Sequence, residues 1–199
     1  MISTQLEVTL LGTGTSTGVP VPGCQCAVCQ SDDQHNSRTR CSLLLSYEDK
    51  NILIDTSTDL RQQMLREKIS HIDAVLYTHT HADHIHGIDD LRPFNISGAE
   101  PIPVFAGAEA VANMKKNFAY IFGNGERSGY CPRLSLNLLE DNFDLFGLSI
   151  TPIPLEHGSG RSLGFRCGPV AYWTDCSAIP EASMARLTDL ELLILDALR

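Results

Sequence analysis

Short apolar runs recur along most of the chain, many rich in β-branched residues or alternating between apolar and polar positions, a pattern typical of strands. They predict strands at residues 6–12, 42–47, 51–56, 72–78, 102–107, 134–139, 148–155, 163–167, 170–175 and 190–196. Helical spacing of apolar residues predicts helices at 57–68, 108–122 and 180–187, the last with Pro180 in its first turn. Most strands are apolar on both faces, which indicates a layered α/β domain.

Composition and charge narrow the class of protein. The 199 residues are 43% hydrophobic and 20% charged, as in ordinary folded proteins, and we expect one domain spanning residues 1–199. A formal net charge of −9 leaves no broad cationic face for a phosphate backbone, so a large nucleic-acid partner is disfavoured. The absence of a signal-like N-terminus or a bilayer-length apolar stretch predicts a cytoplasmic protein with no membrane partner.

A glycine-rich segment, LGTGTSTGVPVPGC, follows the first predicted strand at residues 11–24. It invites comparison with nucleotide-binding loops. However, Thr17 stands where the G-x-G-x-x-G fingerprint needs its third glycine, and no Gly-Lys-Ser/Thr follows. We therefore do not expect nucleotide binding, and we expect the Gly14 to Gly18 loop to offer backbone N–H groups to a phosphate.

The segment LYTHTHADHIHGIDD contains four of the seven histidines of the chain. His79 and His81 follow a predicted strand two residues apart, and positions i and i+2 of an extended backbone face the same side. Both imidazoles can therefore reach one metal ion. Asp83 and His84 are adjacent, so they point elsewhere and could serve a second ion, whereas His86 has no partner at useful spacing.

Two further candidate ligands lie at the ends of later strands. His157 ends the apolar run TPIPLEH, and Asp175 ends VAYWTD, where a buried carboxylate would be costly without a cation. We expect Asp175 to bridge the two ions. The alternative for Asp175 is a helix N-cap ahead of Pro180.

The ordered series His79-x-His81-x-Asp83-His84, His157 and Asp175 resembles the metal ligands of the metallo-β-lactamase superfamily. The resemblance covers essentially the whole chain. It implies a four-layer αββα sandwich, with two divalent ions at one edge of its two sheets.

A narrower resemblance is carried by LGTGTSTGVPVPGCQCAVC together with THTHADHIHGIDDLR. These segments are similar to the phosphoribosyl cyclic-phosphate phosphodiesterases of the carbon-phosphorus lyase pathway. That likeness implies a structural zinc held by Cys24, Cys26 and Cys29, with a C-terminal histidine as its fourth ligand, and an association into homodimers. Crowded cysteines in a reducing compartment also favour metal binding over disulfides.

The sequence departs from both families after His157, because no histidine follows it. The second ion then has Asp83, His84 and Asp175, and the cysteines lack their fourth ligand. The chain is a fragment, as we expect, or a natural short form, or another subunit supplies the missing ligands. A four-thiolate site with Cys41 is a further alternative, although we expect Cys41 to pack as a buried thiol.

The ligand series predicts a metal-dependent hydrolase that acts through a metal-bound hydroxide, and the narrower resemblance implies a small, cyclic ribose phosphodiester as its substrate. Zinc and manganese both suit the mixed nitrogen and oxygen ligands. Asp83 is the candidate for orienting the water or taking its proton.

Several rival functions remain. One is the tRNA 3′ processing endonuclease of the same superfamily, which the acidic charge disfavours, and another is a non-catalytic, truncated metal-binding domain. A β-lactamase is weaker because no export signal is present. We expect Cys131, Cys167 and Cys176 to be plain thiols. A Cys176 nucleophile with His157 as its base is conceivable, but it would compete with the use of His157 as a metal ligand.

Overall fold

A computed structural model describes residues 6–95, 100–123, 130–139 and 141–197. In these ranges the strands are β1 Leu6–Gly12, β2 Ser42–Tyr47, β3 Lys50–Ile54, β4 Ala74–Leu76, β5 Ile102–Ala106, β6 Leu134–Leu138, β7 Phe143–Leu145, β8 Leu148–His157, β9 Gly160–Cys167, β10 Val170–Trp173 and β11 Leu192–Leu195. The α-helices are α1 Leu60–Glu67, α2 Ala82–Ile85, α3 Ala108–Asn117, α4 Ala119–Phe122 and α5 Glu181–Met184. Short 3-10 helices occupy Gln34–Asn36, Ile88–Phe94 and Ala185–Leu187.

Every predicted strand has a counterpart, but the predicted helices differ in three respects. The helix expected at 108–122 is interrupted at Phe118, which leaves helical geometry with φ −116° and ψ 45° and separates α3 from α4. Pro180 precedes α5 as its N-cap instead of lying in its first turn. The short helix α2 was not predicted, because four residues are too few to show a periodic pattern.

The strands form two sheets. The first has the order β1-β2-β3-β4-β5-β6, antiparallel through β3 and parallel from β3 to β6. The second has the order β11-β10-β9-β8-β7, in which β10 and β11 are parallel and the other pairs are antiparallel.

Alternation along β2 explains how the layers stack. Leu43 and Leu45 pack between the two sheets, in a cluster that also contains Phe165 of the second sheet. Leu44 points the other way and shares a cluster with Leu60 of α1. Because successive side chains of a strand face opposite sides, three adjacent leucines bury both faces of the sheet. The expected αββα arrangement is confirmed.

The outer face of the second sheet buries Trp173 completely, in a cluster with Ile153, Leu155 and Ala171. Gly164 on the neighbouring strand makes room for the indole. A Cβ at Gly164 would lie 2.3 Å from Cδ1 of Trp173, which is closer than such atoms can approach. The sheet therefore depends on a residue without a side chain at this position.

One edge of the sandwich collects the ends of several strands. Leu163 of β9 donates its amide to the Thr78 carbonyl 2.9 Å away, which joins the second sheet to the segment that follows β4. The segments after β3, β4, β8 and β10 meet here.

Within the described residues, no helix is long and apolar enough to cross a membrane.

Candidate metal centre

The segment after β4 brings two histidines together. The backbone at His81 is extended, with φ −67° and ψ 152°, and α2 begins at the next residue. Nε2 of His79 lies 3.0 Å from Nδ1 of His81. The expectation from their two-residue spacing, that both rings face one point, agrees with this geometry.

His157 and Asp175 complete this first group. Nε2 of His157 lies 3.1 Å from Nδ1 of His81. Oδ2 of Asp175 lies 3.5 Å from Nε2 of both His79 and His157. The four potential ligand atoms are all within 4.8 Å of one another.

A second group lies beside the first and shares a residue with it. His84 on α2 places Nε2 at 3.2 Å from Oδ2 of Asp83 and at 3.3 Å from Oδ2 of Asp175. One carboxylate oxygen of Asp175 therefore borders both groups. This position contradicts the alternative of a helix N-cap for Asp175, and it agrees with the expected bridging position.

The backbone around Asp175 is specialised for this placement. Its φ of 54° lies in the left-handed region, which non-glycine residues enter at a cost. Its amide donates to Oδ2 of Asp196 at 3.0 Å, and its carbonyl accepts from Ser162 Oγ at 3.0 Å. These bonds hold the turn that directs the carboxylate toward the histidines.

The spacing within the two groups fits divalent ions. Metal bonds of about 2.0–2.1 Å in tetrahedral geometry place neighbouring ligand atoms about 3.3 Å apart. The distances quoted for the two groups run from 3.0 to 3.5 Å. The remaining pairs within each group lie within 4.8 Å, so both groups are close to the spacing that a divalent ion requires.

The charges of the site also favour a cation. Burial alone would lower the pKa of His84, but Asp55, Asp175 and Asp83 together raise it to about 12. Burial would raise the pKa of Asp175, yet its hydrogen bonds and charge interactions with His84 and His79 hold it well below the usual range. The carboxylates thus hold a positive charge at this place, and either a proton or a metal ion can supply it.

Asp55 organises the site, although the sequence reasoning did not identify it. It is fully buried directly after β3, and its carboxylate accepts from the Thr78 amide at 2.8 Å, Thr78 Oγ1 at 2.7 Å and His84 Nδ1 at 2.8 Å. Thr78 Oγ1 also lies 2.9 Å from Nδ1 of His79. Asp55 therefore orients one histidine of each group so that Nε2 faces the other ligands. Like Asp175, Asp55 is a carboxylate directly after an apolar strand, and this is the signal in the sequence that points to it.

A cavity of about 690 Å³ opens over these ligands. Its walls include His81, Asp83, His157 and Asp175 on one side and Gly12 to Ser16 on another. The glycine-rich loop therefore lies beside the candidate metal centre. Glycine is required at Gly12, because a Cβ there would lie 1.9 Å from the carbonyl oxygen of Arg40.

Cys41 lines this cavity, apart from the three cysteines expected to bind metal, and it is partly exposed instead of fully buried as expected. Its Sγ donates to the Gly14 carbonyl 3.1 Å away, so it does not complete a four-thiolate site. Cys176 also borders the cavity, but no hydrogen bond joins it to His157 among the described residues. That arrangement does not support a cysteine nucleophile.

The cysteine cluster consists of Cys24, Cys26 and Cys29. Its three sulfur atoms lie within 4.8 Å of one another. The Cys29 amide, followed by the neighbouring thiols, lowers the pKa of Cys26 to about 7. At Cys29 the Val21 amide lowers the pKa, but burial and the neighbouring thiols outweigh it and raise the pKa. A thiol with a lowered pKa supplies the thiolate that metal binding requires.

His86 belongs to neither of the two groups of potential metal ligands. Its exposed ring contacts Phe118 at a centroid distance of 6.0 Å.

Comparisons with known proteins place the chain among recognised relatives. The family described as "Beta-lactamase superfamily domain" matches residues 50–199. The crystal structure of a diphosphatase from the PhnP family is 43% identical, with a TM-score of 0.89 over 98% of this chain and 75% of that one.

Two curated proteins add to the comparison. An octanoyltransferase of Porphyromonas gingivalis is 39% identical over 193 residues, which are 96% of this chain but only 39% of that protein. A ribonuclease Z of Clostridium kluyveri is 35% identical over 103 residues, or 50% of this chain and 29% of that protein. The chain thus spans about two fifths of the first relative and under a third of the second.

Proposed function

Because the chain belongs to the β-lactamase superfamily of hydrolases, we propose that it is a metal-dependent phosphodiesterase acting on a small phosphodiester, with cyclic ribose phosphates as the preferred class. The position of Asp175 Oδ2 between two groups of ligand atoms carries this proposal. The likeness to a PhnP-family diphosphatase supports phosphate chemistry in preference to other hydrolyses.

The residues divide between two ions. His79, His81, His157 and Asp175 would hold the first, and Asp83, His84 and Asp175 would hold the second. Zinc and manganese both accept such mixed nitrogen and oxygen ligands. Divalent ions bound there would lower the pKa of a bound water and offset charge on the phosphate oxygens.

The side chains of the cavity perform the remaining tasks. Asp83 borders both the cavity and His84, so its carboxylate can orient the attacking water and take its proton. The water oxygen attacks phosphorus, the bond from phosphorus to one ester oxygen breaks, and that oxygen takes a proton from solvent. The amides of Gly14 and Gly18 donate to the carbonyls of Thr39 and Thr15, so the amides of residues 15–17 are the ones that would position the phosphate.

The cysteine cluster has a separate role in this proposal. Three thiolates within 4.8 Å of one another suit zinc, which prefers sulfur ligands in structural sites. The cluster lies between the glycine-rich loop and the segment leading to β2. A zinc ion there would stabilise a stretch that has little regular secondary structure.

The test uses the full chain loaded with zinc or manganese. We expect it to open 5-phosphoribosyl 1,2-cyclic phosphate, and we expect D175N to lose both metal content and turnover. D144N, on an exposed residue of β7, is the matched control. No turnover of this substrate or of bis(p-nitrophenyl) phosphate by the metal-loaded native chain would refute the proposal.

A second candidate is tRNA 3′ processing, supported by the local match to ribonuclease Z. The net charge of −9 opposes binding of a long phosphate backbone. Cleavage of a tRNA precursor bearing a trailer, together with no action on cyclic phosphates, would favour that function. A metal content of about one ion per chain, together with no hydrolysis, would favour the hypothesis of a non-catalytic, truncated metal-binding domain.

A further inference from the structure

Cys26 and Cys29 lie three residues apart in a single helical turn. The Gln30 amide donates to the Cys26 carbonyl at 3.1 Å, which is the bond that closes one turn of an α-helix. Residues three apart are neighbours on the surface of such a turn. The Cys29 amide accordingly donates to Cys26 Sγ at 3.5 Å, so the two cysteines face the same side.

The two thiols differ in how they are held. Cys26 is exposed, whereas Cys29 is partly buried and its Sγ accepts from the Val21 amide at 3.3 Å. The Cys24 amide donates to the Val21 carbonyl at 3.0 Å, so Val21 anchors the segment on both sides of the turn. Cys29 is therefore fixed in place, while an oxidant from solvent reaches Cys26 directly.

The sulfur atoms are close enough to be joined by a side-chain rotation. The three sulfurs of the cysteine cluster lie within 4.8 Å of one another, and an S–S bond measures about 2.05 Å. Exposed side chains change rotamer within nanoseconds, so Cys26 can close that gap. Two residues separate Cys26 from Cys29, which is the spacing of dithiol oxidoreductases. A bond from Cys24 to Cys26 would span a single residue, and the fixed disulfide geometry makes that smaller ring more strained.

We propose that Cys26 and Cys29 form a reversible disulfide, and that its formation releases the zinc ion of the cysteine cluster. The Cys26 sulfur attacks one oxygen of hydrogen peroxide, the O–O bond breaks, and water leaves, which makes Cys26 a sulfenic acid. The Cys29 sulfur then attacks the Cys26 sulfur, the S–S bond forms, and the S–O bond breaks with loss of a second water. The two thiols lose two electrons and two protons, and the peroxide is reduced to water.

The loss of zinc follows from the change in the ligands. A disulfide sulfur is no longer a thiolate, which is the form that binds zinc. Oxidation leaves the cluster with Cys24 as its one thiolate, whereas a structural zinc site takes four ligands. Release of zinc rests on the structural zinc proposed above, but the disulfide itself does not. The cluster thus becomes a redox-sensitive device, a use that reducing compartments make of transient disulfides.

The experiment adds hydrogen peroxide to the full chain loaded with zinc in the cysteine cluster and manganese in the other two groups. We expect the loss of two thiols and about one equivalent of zinc per chain, measured by thiol titration and a zinc-binding dye. Differential alkylation with mass spectrometry should locate the disulfide between Cys26 and Cys29. Dithiothreitol followed by zinc should restore both the thiols and the bound metal.

Two variants separate the roles of the three cysteines. C24S keeps the proposed pair, so it should still form the disulfide. C24S/C29S lacks both possible partners within the cluster, so Cys26 should remain a sulfenic acid that dimedone traps. C176S is the matched control, because Cys176 is a partly exposed thiol outside the cluster, and it should lose the same two thiols and the same zinc as the native chain.

The possible results decide each part of the proposal. It is wrong if the cluster stays reduced in peroxide, if the disulfide includes Cys24 in the native chain, or if the disulfide forms while zinc stays bound. Release of zinc without the disulfide also contradicts it. If the native chain binds no zinc in the cluster, the structural zinc proposed above fails, and the alkylation pattern still decides whether Cys26 and Cys29 form the pair.

Discussion

Replacing Asp55 with asparagine tests how the candidate metal centre is organised. The carboxylate is fully buried and accepts three hydrogen bonds, from the Thr78 amide, Thr78 Oγ1 and His84 Nδ1. Its φ of 62° lies in the left-handed region, which asparagine tolerates about as readily as aspartate. The substitution therefore changes the charge and the acceptors while leaving the backbone unstrained.

The side-chain amide of D55N has one oxygen, so it can replace only one of the two carboxylate oxygens of Asp55. If its oxygen continues to accept from the Thr78 amide, its NH₂ group faces His84 Nδ1, which must then accept a hydrogen bond. The imidazole proton moves to Nε2, the atom that lies 3.2 Å from Asp83 and 3.3 Å from Asp175. That nitrogen then has no lone pair for a metal ion.

The magnitude follows from these contacts. Loss of a charged hydrogen bond costs about 1.5–3 kcal/mol, and leaving a buried partner uncompensated costs about 3–5 kcal/mol. We therefore expect D55N to lower the free energy of unfolding by about 2–4 kcal/mol. Altered support of a ligating histidine typically weakens metal binding about 10- to 100-fold.

Urea denaturation and elemental analysis of dialysed protein measure the two effects. D33N is the matched control, because Asp33 is exposed and also accepts two hydrogen bonds, from the amide and Nδ1 of His35. It should leave the unfolding midpoint and the metal content unchanged. If D55N unfolds at the native midpoint and retains the native metal content, the assigned role of Asp55 is wrong.

Three further predictions concern packing, protonation and the cysteine cluster. G164A should lower the free energy of unfolding by at least about 1–3 kcal/mol, because the added Cβ overlaps Trp173. G160A on the same strand should not, because a Cβ there would lie 3.7 Å from its nearest atom, the His157 carbonyl oxygen. Equal urea midpoints for the two variants would refute this prediction. In metal-free protein the raised pKa of His84 stabilises the fold fully below the unfolded value of about 6.5, and this contribution is lost only as the pH rises through about 12. Metal must then displace that proton, so affinity should rise with pH, and calorimetry in buffers of different ionisation enthalpy should detect proton release. Serine at all three positions of the cysteine cluster should remove one equivalent of zinc while leaving the metal of the other two groups; unchanged zinc content would contradict the structural site.

The strands were predictable because a strand that is buried on both faces appears in the sequence as a short, nearly continuous apolar run. In β2 three consecutive leucines fill two different clusters, as the alternation of side chains along a strand requires. β7 was missed because its three residues, Phe143 to Leu145, are too short to show alternation. The break between α3 and α4 was missed because apolar spacing continues across Phe118, which is itself buried in the helix-facing core.

The ligand groups were predictable for a different reason. Imidazoles and carboxylates at strand ends are expensive to bury singly, so their types and positions point to a shared cation. His157 and Asp175 were found in this way, although 76 and 94 positions separate them from His81, and they lie within 4.8 Å of it. The same cost applied to Asp55, which follows an equally apolar strand.

What separates Asp55 from Asp175 is the partner, and the sequence does not state it. Asp175 borders the cavity. Asp55 is enclosed, and both of its carboxylate oxygens accept hydrogen bonds, from Thr78 and His84. Both satisfy the same energetic rule, Asp55 through hydrogen-bond donors and Asp175 through the histidines around it, where a cation could bind. The rule therefore identifies which carboxylates must be compensated, and only the three-dimensional arrangement decides which of them faces the candidate metal centre and which holds the histidines in place.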